Sequence, residues 1–241
     1  MIKHRIFISS LKNVKGFTLS LSKEESHHLV KVLRSKVNEK FEGLDGMGRI
    51  YKLKLESFHN HTAKVKILEF SDFPPPRKIE LAIGIPKTKA MSGLVRRATE
   101  MGVSKITPLL TRFSSYNNRL QKEQGWRMDA IEACKQSGNP WLPEISQTQP
   151  FEEWINGLFQ NNVTLFYGSL YSPRNPISYH YEAMKSANKI ICLVGPEGDF
   201  SDSEHQLLKN SEAVPITLGS YVLRVETATI CILSQTFSCF M

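Results

Sequence analysis

The chain has 241 residues, 41% of them hydrophobic and 22% charged, enough to bury a sizeable core in one large domain or two smaller ones. No apolar run approaches the ~20 residues of a membrane span, MIKHRIFISS has no apolar stretch behind it, and Cys134, Cys192, Cys231 and Cys239 form no C-x-x-C pair. A membrane span, a secretory leader, a disulfide scaffold and a zinc ribbon are therefore not expected, and a reducing cytoplasm is the simplest setting. Lys and Arg exceed Asp and Glu by 31 to 23, a net +8. Residues 1–77 carry 15 basic against 8 acidic residues (+7), and residues 78–241 carry 16 against 15 (+1). A surplus confined to one segment points to a module that faces a polyanion.

In chain order, Arg5–Ile8 and Phe17–Leu21 read as short strands. Ser22-Lys23-Glu24-Glu25 has the spacing of a capping box and predicts a helix through about Arg34. Asp45-Gly46 marks a turn. The alternating runs Ile50–Leu55 and Ala63–Leu68, joined by a turn at His59–Thr62, predict two strands with apolar side chains inward and lysines outward. A small β-barrel over residues 1–72 accounts for these signals. Pro74-Pro75-Pro76 fits neither a helix nor a central strand, so 73–77 reads as a linker.

Beyond it the rhythm becomes α/β over 78–241. Strands are expected at Ile79–Ile85, Lys105–Leu110, Val163–Tyr167, Lys189–Val194 and Val214–Leu218. Helices are expected at about Lys89–Met101 (stopped by Gly102), Gln121–Gln136, Phe151–Phe159, Ile177–Ser186, from Ser201, and to about Phe237. Continuous apolar strands alternating with helices predict a mainly parallel sheet covered on both faces.

Two junctions carry the chemistry. Gly195-Pro196-Glu197-Gly198-Asp199-Phe200-Ser201 follows a buried strand and runs into a second capping box, Ser201 to Glu204. Open α/β sheets bind ligands at such strand ends. The spacing matches neither the dinucleotide nor the P-loop fingerprint. Glu197 and Asp199 would repel a pyrophosphate, so a nicotinamide oxidoreductase is disfavoured and a cofactor without phosphates fits better. Leu218-Gly219-Ser220-Tyr221-Val222-Leu223-Arg224-Val225-Glu226-Thr227 is a second strand–glycine–helix junction with Glu226 in a first turn. A surface ion pair between Arg224 and Glu226 is the plainer reading of those two residues. The segments Arg97–Ser115 and Glu132–Pro143 are expected near these loops. Arg112, after an apolar strand, suits gripping a phosphate or a base edge, and Arg5, Lys31, Arg34 and Lys36 could meet RNA phosphates. His27-His28 lacks a spaced third ligand, so no metal is expected.

The segments HHLVKVLR, IPK with RATEMGV, EACKQSGNPWLPEI, LVGPEGDFSDSE and LGSYVLRVETA together resemble, in order and over nearly the whole chain, the ribosomal RNA small subunit methyltransferase E family. That resemblance implies a PUA-like RNA-binding barrel followed by a SPOUT methyltransferase domain with a deep trefoil knot. It also implies transfer of a methyl group from S-adenosylmethionine to N3 of a uridine in 16S rRNA of the small ribosomal subunit, by a homodimer in which the partner completes each site. Carried over by position, the cofactor loops would hold Tyr167, Gly168, Gly195, Glu197, Gly198, Leu218, Gly219, Val222, Leu223 and Thr227. Arg224, Arg112 and Glu226 become the candidates for stabilising uracil oxygens, placing the substrate, and orienting Arg224 or taking a proton. The chain departs from common family patterns at Asn139-Pro140, at Phe113 between Arg112 and Ser114, and at Tyr167-Gly168-Ser169, which lacks an acidic residue. The alternatives are a methyltransferase of the same fold acting on a ribose hydroxyl or on transfer RNA, and a ribosome-assembly binder without catalysis.

Overall fold

A computed structural model of the chain describes residues 4–8, 14–15, 17–87, 90–114, 119–158, 163–171 and 174–240. The expected helix start at Lys89, the helix end at Phe159 and Ser115 lie outside them. The chain forms two compact units, Met1–Pro75 with Ile131–Leu142, and Pro76–Ala130 with Pro143–Met241.

The first unit is a six-stranded sheet of β1 (Arg5–Phe7), β2 (Val14–Lys15), β3 (Thr18–Ser20), β4 (Lys40–Leu44), β5 (Arg49–His59) and β6 (Thr62–Asp72). The order is β1-β4-β5-β6-β3-β2, and β1–β4 is the parallel pair. β5 and β6 form the long hairpin that the alternating runs predict. Its two-residue turn, Asn60-His61, has positive φ at both positions (49° and 60°), the twist that two-residue hairpins favour. Tyr51, Leu53, Leu55, Ala63 and Val65 point into a core with Ile6, Leu19, Leu29 and Phe41. Each fully buried aliphatic side chain there contributes roughly 1.5–3 kcal/mol. Lys52, Lys64 and Lys66 on the alternate positions are exposed.

Two sequence expectations change in this unit. Helix α1 (Lys23–His27) starts at Ser22, whose hydroxyl accepts from the Glu25 N–H at 3.2 Å. The Glu25 carboxylate does not return to the cap. It accepts from the Phe7 N–H (3.3 Å) and meets Lys135 Nζ (3.4 Å), so a tertiary contact replaces the local one. The helix continues as a π-turn, His28–Val32, and ends before Arg34, whose φ of 56° no right-handed helix accommodates. The second change concerns Glu132–Pro143, expected among the loops of the α/β sheet. Ile131, Cys134 and Leu142 pack instead against Phe7, Leu44 and Ile50. An Arg5 guanidinium nitrogen donates to the carbonyls of Lys135 (3.3 Å) and Gln136 (3.2 Å), which a helix C-terminus leaves open. The apolar face and the waiting arginine draw this segment into the first unit.

The second unit is a seven-stranded parallel sheet of β7 (Ile79–Gly84), β8 (Lys105–Leu110), β9 (Glu144–Ile145), β10 (Gln149–Pro150), β11 (Val163–Gly168), β12 (Lys189–Val194) and β13 (Val214–Ile216). The order is β10-β8-β7-β12-β11-β13, with β9 pairing β8. Helices α2 (Met91–Met101), α3 (Arg119–Ser137, its end in the first unit), α4 (Phe151–Asn156), α5 (Tyr181–Ser186, after a 3-10 turn at Ile177–His180), α6 (Asp202–Asn210) and α7 (Val225–Ser238) alternate with the strands. The central strands are buried almost throughout, as continuous apolar runs require. The two-residue strands β9 and β10 are too short to signal in sequence. β13 stops at Ile216, short of Leu218, because the chain turns there and the Leu218 carbonyl accepts from Cys231 Sγ (3.3 Å). Since all strands run the same way, the loops after β7, β11, β12 and β13 emerge on one edge.

Candidate active site

The loops after β11, β12 and β13 line a cavity of about 480 Å³ within the second unit, inside the range of small-molecule sites. Of the residues expected to hold a cofactor, Gly168, Gly195, Glu197, Leu218, Gly219, Val222 and Leu223 line it, and so do Arg224 and Glu226. Tyr167, Gly198, Thr227 and Arg112 are not on its wall. Tyr167, next to the last residue of β11, is buried in the core cluster with Leu165, Leu193 and Phe200, and burial pushes its phenol above the ordinary tyrosine range. Thr227 is exposed in the first turn of α7.

The loop after β12 is fastened from several sides. The Glu197 carboxylate accepts from the Lys87 N–H at 2.9 Å, joining the loops after β7 and β12. The capping box at Ser201 forms as predicted, and the buried Glu204 does more than cap. One carboxylate oxygen accepts from the Ser201 N–H and hydroxyl (2.8 and 2.9 Å), and the other accepts from the Arg112 N–H (2.8 Å). This bond brings the 111–114 segment to the loop. Gly198 explains how closely, since a Cβ there would stand 2.8 Å from Phe113 Cβ. The role of Gly198 is thus to admit Phe113. Asp199, in the left-handed region at φ 59°, holds its N–H on the Pro196 carbonyl (2.9 Å) and its carboxylate 3.6 Å from His205 Nε2.

The loop before α7 is built differently. Gly219 has φ 150° and nothing within 4 Å of where a Cβ would stand, so the chain bends there beside open space. Tyr221 and Val222 are 85% and 76% exposed. Among the described residues neither Arg224 nor Glu226 takes part in an ion pair or a side-chain hydrogen bond, so the expected surface pair between them does not form. The first turn of α7 opens on the cavity through Val225, Glu226 and Ala228.

Asp199, read from the sequence as a carboxylate facing the ligand, is on the wall, whereas sequence reasoning missed Ser169, Leu170, Arg174, Tyr221 and Ala228 there. Proximity to a flagged glycine loop could have found Tyr221. Arg174, which donates to the Ser169 carbonyl at 2.7 Å, carries no local signal. The wall bears three carboxylates (Glu197, Asp199, Glu226) against two guanidinium groups (Arg174, Arg224). That balance suits a ligand with net positive charge and no phosphate.

In the first unit, Lys31, Arg34 and Lys36 are exposed. Arg5 spends its donors internally, on Glu42 (2.6 Å) and the two helix-end carbonyls. Among the described residues no group of three His, Cys, Asp or Glu is arranged to hold a metal, and no helix is long and apolar enough to cross a membrane.

Comparison with known proteins agrees with this architecture. The RNA methyltransferase domain family matches residues 74–236, and the RNA methyltransferase PUA domain family matches residues 21–68. Ribosomal RNA small subunit methyltransferase E of Aquifex aeolicus is 30% identical over 91% of this chain and 94% of its own length. The protein of that name from Buchnera aphidicola (Schizaphis graminum) is 29% identical over 94% of this chain and 92% of its own. A putative methyltransferase of Legionella pneumophila, solved with the bound cofactor SAM, superposes with a TM-score of 0.87 at 27% identity, covering 99% of this chain and 98% of that one. A PUA-like unit, a SPOUT-type parallel α/β unit and relatives aligned from end to end lead to one assignment: the chain belongs to the RNA methyltransferase family, in its ribosomal RNA small subunit methyltransferase E branch.

Proposed function

We propose that the protein transfers the methyl group of S-adenosylmethionine to N3 of a uridine in 16S ribosomal RNA. The observation that carries this reading is the cavity at the carboxyl ends of β11, β12 and β13, with acidic walls and an open backbone bend at Gly219. The fit is chemical. S-adenosylmethionine carries a sulfonium and an ammonium against one carboxylate, a net positive charge that the excess of wall carboxylates complements, and it has no phosphate for Glu197 and Asp199 to repel.

When bound, the cofactor supplies an electrophilic methyl group. The rest falls to this chain's own residues. Gly195, Glu197, Leu218, Gly219, Val222 and Leu223 would form the walls that hold the cofactor and exclude water. Uracil N3–H is weakly acidic, so transfer requires its proton to leave and negative charge to be borne on the flanking oxygens. The Arg224 guanidinium, without a side-chain partner among the described residues, is suited to stabilise that charge, and the open N-terminus of α7 adds to it. Glu226, two residues on and likewise without a side-chain partner among the described residues, would take the proton or orient Arg224. Arg112 is held by its backbone to Glu204, leaving its exposed side chain to place the RNA. Positioning supplies most of the rate, and the target base must leave its stack to enter.

The RNA would be held by the PUA-like unit, through Lys31, Arg34 and Lys36, while Arg5 serves that unit's interior. A second copy of the chain would complete each site by covering the exposed Tyr221 and Val222, making the working form a homodimer. The substrate would be 16S rRNA in the assembled small subunit.

The test is incubation with S-adenosylmethionine and small ribosomal subunits lacking the modification, followed by digestion to nucleosides and mass spectrometry. One equivalent of 3-methyluridine is the expected product. A ribose-methylated nucleoside, or no methylated nucleoside with fully folded protein, overturns the reading.

A further inference from the structure

The β-sheet of the first unit carries two adjacent cross-strand rows on its solvent face, and they are built on opposite principles. In the first, Glu42 on β4 stands opposite Lys52 on β5, and Lys52 opposite Glu69 on β6. Charge alternates along this row, Lys52 pairs with Glu69, and Arg5 closes the far end on Glu42. Two residues along β4 and β5, the pairing is Lys40 opposite Lys54 and Lys54 opposite Lys66. Three like charges stand side by side on strands about 4.8 Å apart. Lys40 and Lys66 are exposed, Lys54 is half-buried, and none of the three forms an ion pair among the described residues. Lys64, also exposed, extends the basic patch along β6. Of the carboxylates beside the row in sequence, Glu56 accepts from the Thr18 hydroxyl at 3.5 Å and Glu39 from the Lys36 N–H at 2.8 Å.

Like charges directly opposite on a sheet are destabilising. The neighbouring row shows that this sheet can alternate its charges, and the lysine row does not. We propose that Lys40, Lys54 and Lys66 form a phosphate-binding row that grips the RNA backbone. Ammonium groups are compact point charges suited to phosphate. With no aromatic side chain in the row to stack on a base, it supplies position and affinity without reading sequence. The inference rests on the proposed function, since it assumes that the chain binds ribosomal RNA.

The experiment measures affinity for a 16S rRNA transcript as a function of salt, for the full chain and for three variants: K40Q/K54Q/K66Q, the charge-retaining K40R/K54R/K66R, and K78Q/K185Q/K209Q. The last removes the same net charge from exposed sites in the second unit. The glutamine row variant should bind at least about tenfold more weakly near 0.1 M salt. Its slope of log affinity against log salt should be shallower by about 2, from roughly 0.7 per lost single-strand phosphate contact. The arginine variant should retain both, and the second-unit variant should lose less than about threefold. Thermal melting of the glutamine variant should not fall, because relieving like-charge repulsion leaves the core intact. Equal losses in the two glutamine variants, or an unchanged slope in the row variant, overturn the proposal while leaving the proposed function standing. Failure of the unmodified chain to bind the transcript overturns both. Loss of binding to anionic phospholipid vesicles with RNA binding unchanged would assign the row to a lipid surface and also overturn it.

Discussion

The two loops that face each other across the cavity differ in how their polar groups are spent. In the loop after β12, Glu197 holds the Lys87 N–H, Glu204 holds the Arg112 N–H and the cap of α6, and Asp199 faces His205. In the loop before α7, Arg224 and Glu226 have no side-chain partner among the described residues, and Tyr221 and Val222 are open to solvent. The first loop is prebuilt, its charged groups committed to shape. The second keeps its charged groups for something that is not part of the fold. A binding wall and a reacting edge need those two kinds of construction, because a group already satisfied internally has little left to offer a transition state.

The largest effect that would sharpen this contrast is kinetic. Replacing Arg224 with alanine should lower kcat/KM by about 10²-fold or more, the scale for removing one stabilising donor. The melting temperature should stay within error, since no internal side-chain bond among the described residues is lost, and cofactor affinity should change far less than kcat/KM. Calorimetry and melting curves beside the kinetics check this, and a variant that unfolds would erase the distinction between the loops.

Glu204→Ala should act the other way round, mainly on stability. It leaves the Ser201 and Arg112 N–H groups without their acceptor, costing about 2 kcal/mol, visible as a lower denaturation midpoint. The Gln replacement should recover much of that loss by keeping an acceptor oxygen. Glu197→Ala, on the exposed rim of the same loop, should be milder, about 1 kcal/mol, read as weaker cofactor binding with kcat little changed.

Thiol chemistry gives a smaller, internal check of the architecture. Burial pushes Cys134 and Cys192 up to about 12, so the thiolate that reacts with alkylating agents is scarce at pH 8. Native protein should therefore lose no thiols at these two positions in mass-spectrometric footprinting, whereas denatured protein should be modified at all four.

The smallest effect concerns His180, whose pKa burial lowers and whose Nε2 is enclosed without a partner. The unfolded chain then takes up the proton more readily than the folded one. The contribution is present in full above the ordinary histidine pKa and is lost as pH falls through the lowered folded-state value. A His180→Gln variant should flatten the acid side of the melting-temperature profile by about one degree or less, on the scale of a few tenths of a kcal/mol.

Much of this organisation was legible in the sequence, for definite reasons. The strands β7, β8, β11 and β12 are mainly apolar runs, and the middle of the β5–β6 hairpin alternates over Tyr51–Leu55 and Ala63–Ile67, so periodicity alone locates them. The capping box at Ser201 is local, and it forms as its spacing requires. The one at Ser22 is equally legible, but Glu25 is taken by Phe7 and Lys135, a contact between residues 110 apart that no local pattern encodes. The same holds for Ile131–Leu142, which sits between stretches of the second unit in sequence and packs with the first in space. In the cavity, the glycine loops were findable because they interrupt an apolar rhythm at strand ends. Arg174 was not, since it comes from the loop after β11 with no motif around it.

Reverse transcription along 16S rRNA asks whether the open loop before α7 serves uridine N3 methylation. Small subunits from a strain lacking the modification would be treated with S-adenosylmethionine and either the unmodified protein or its Arg224→Ala variant. A methyl group on N3 blocks pairing and arrests the transcriptase, whereas a ribose methyl group generally permits read-through. One new stop at a single uridine is expected with the unmodified protein, and none with the variant in the same time. A stop of equal strength with both, or transferred methyl label with no stop at all, would contradict that role.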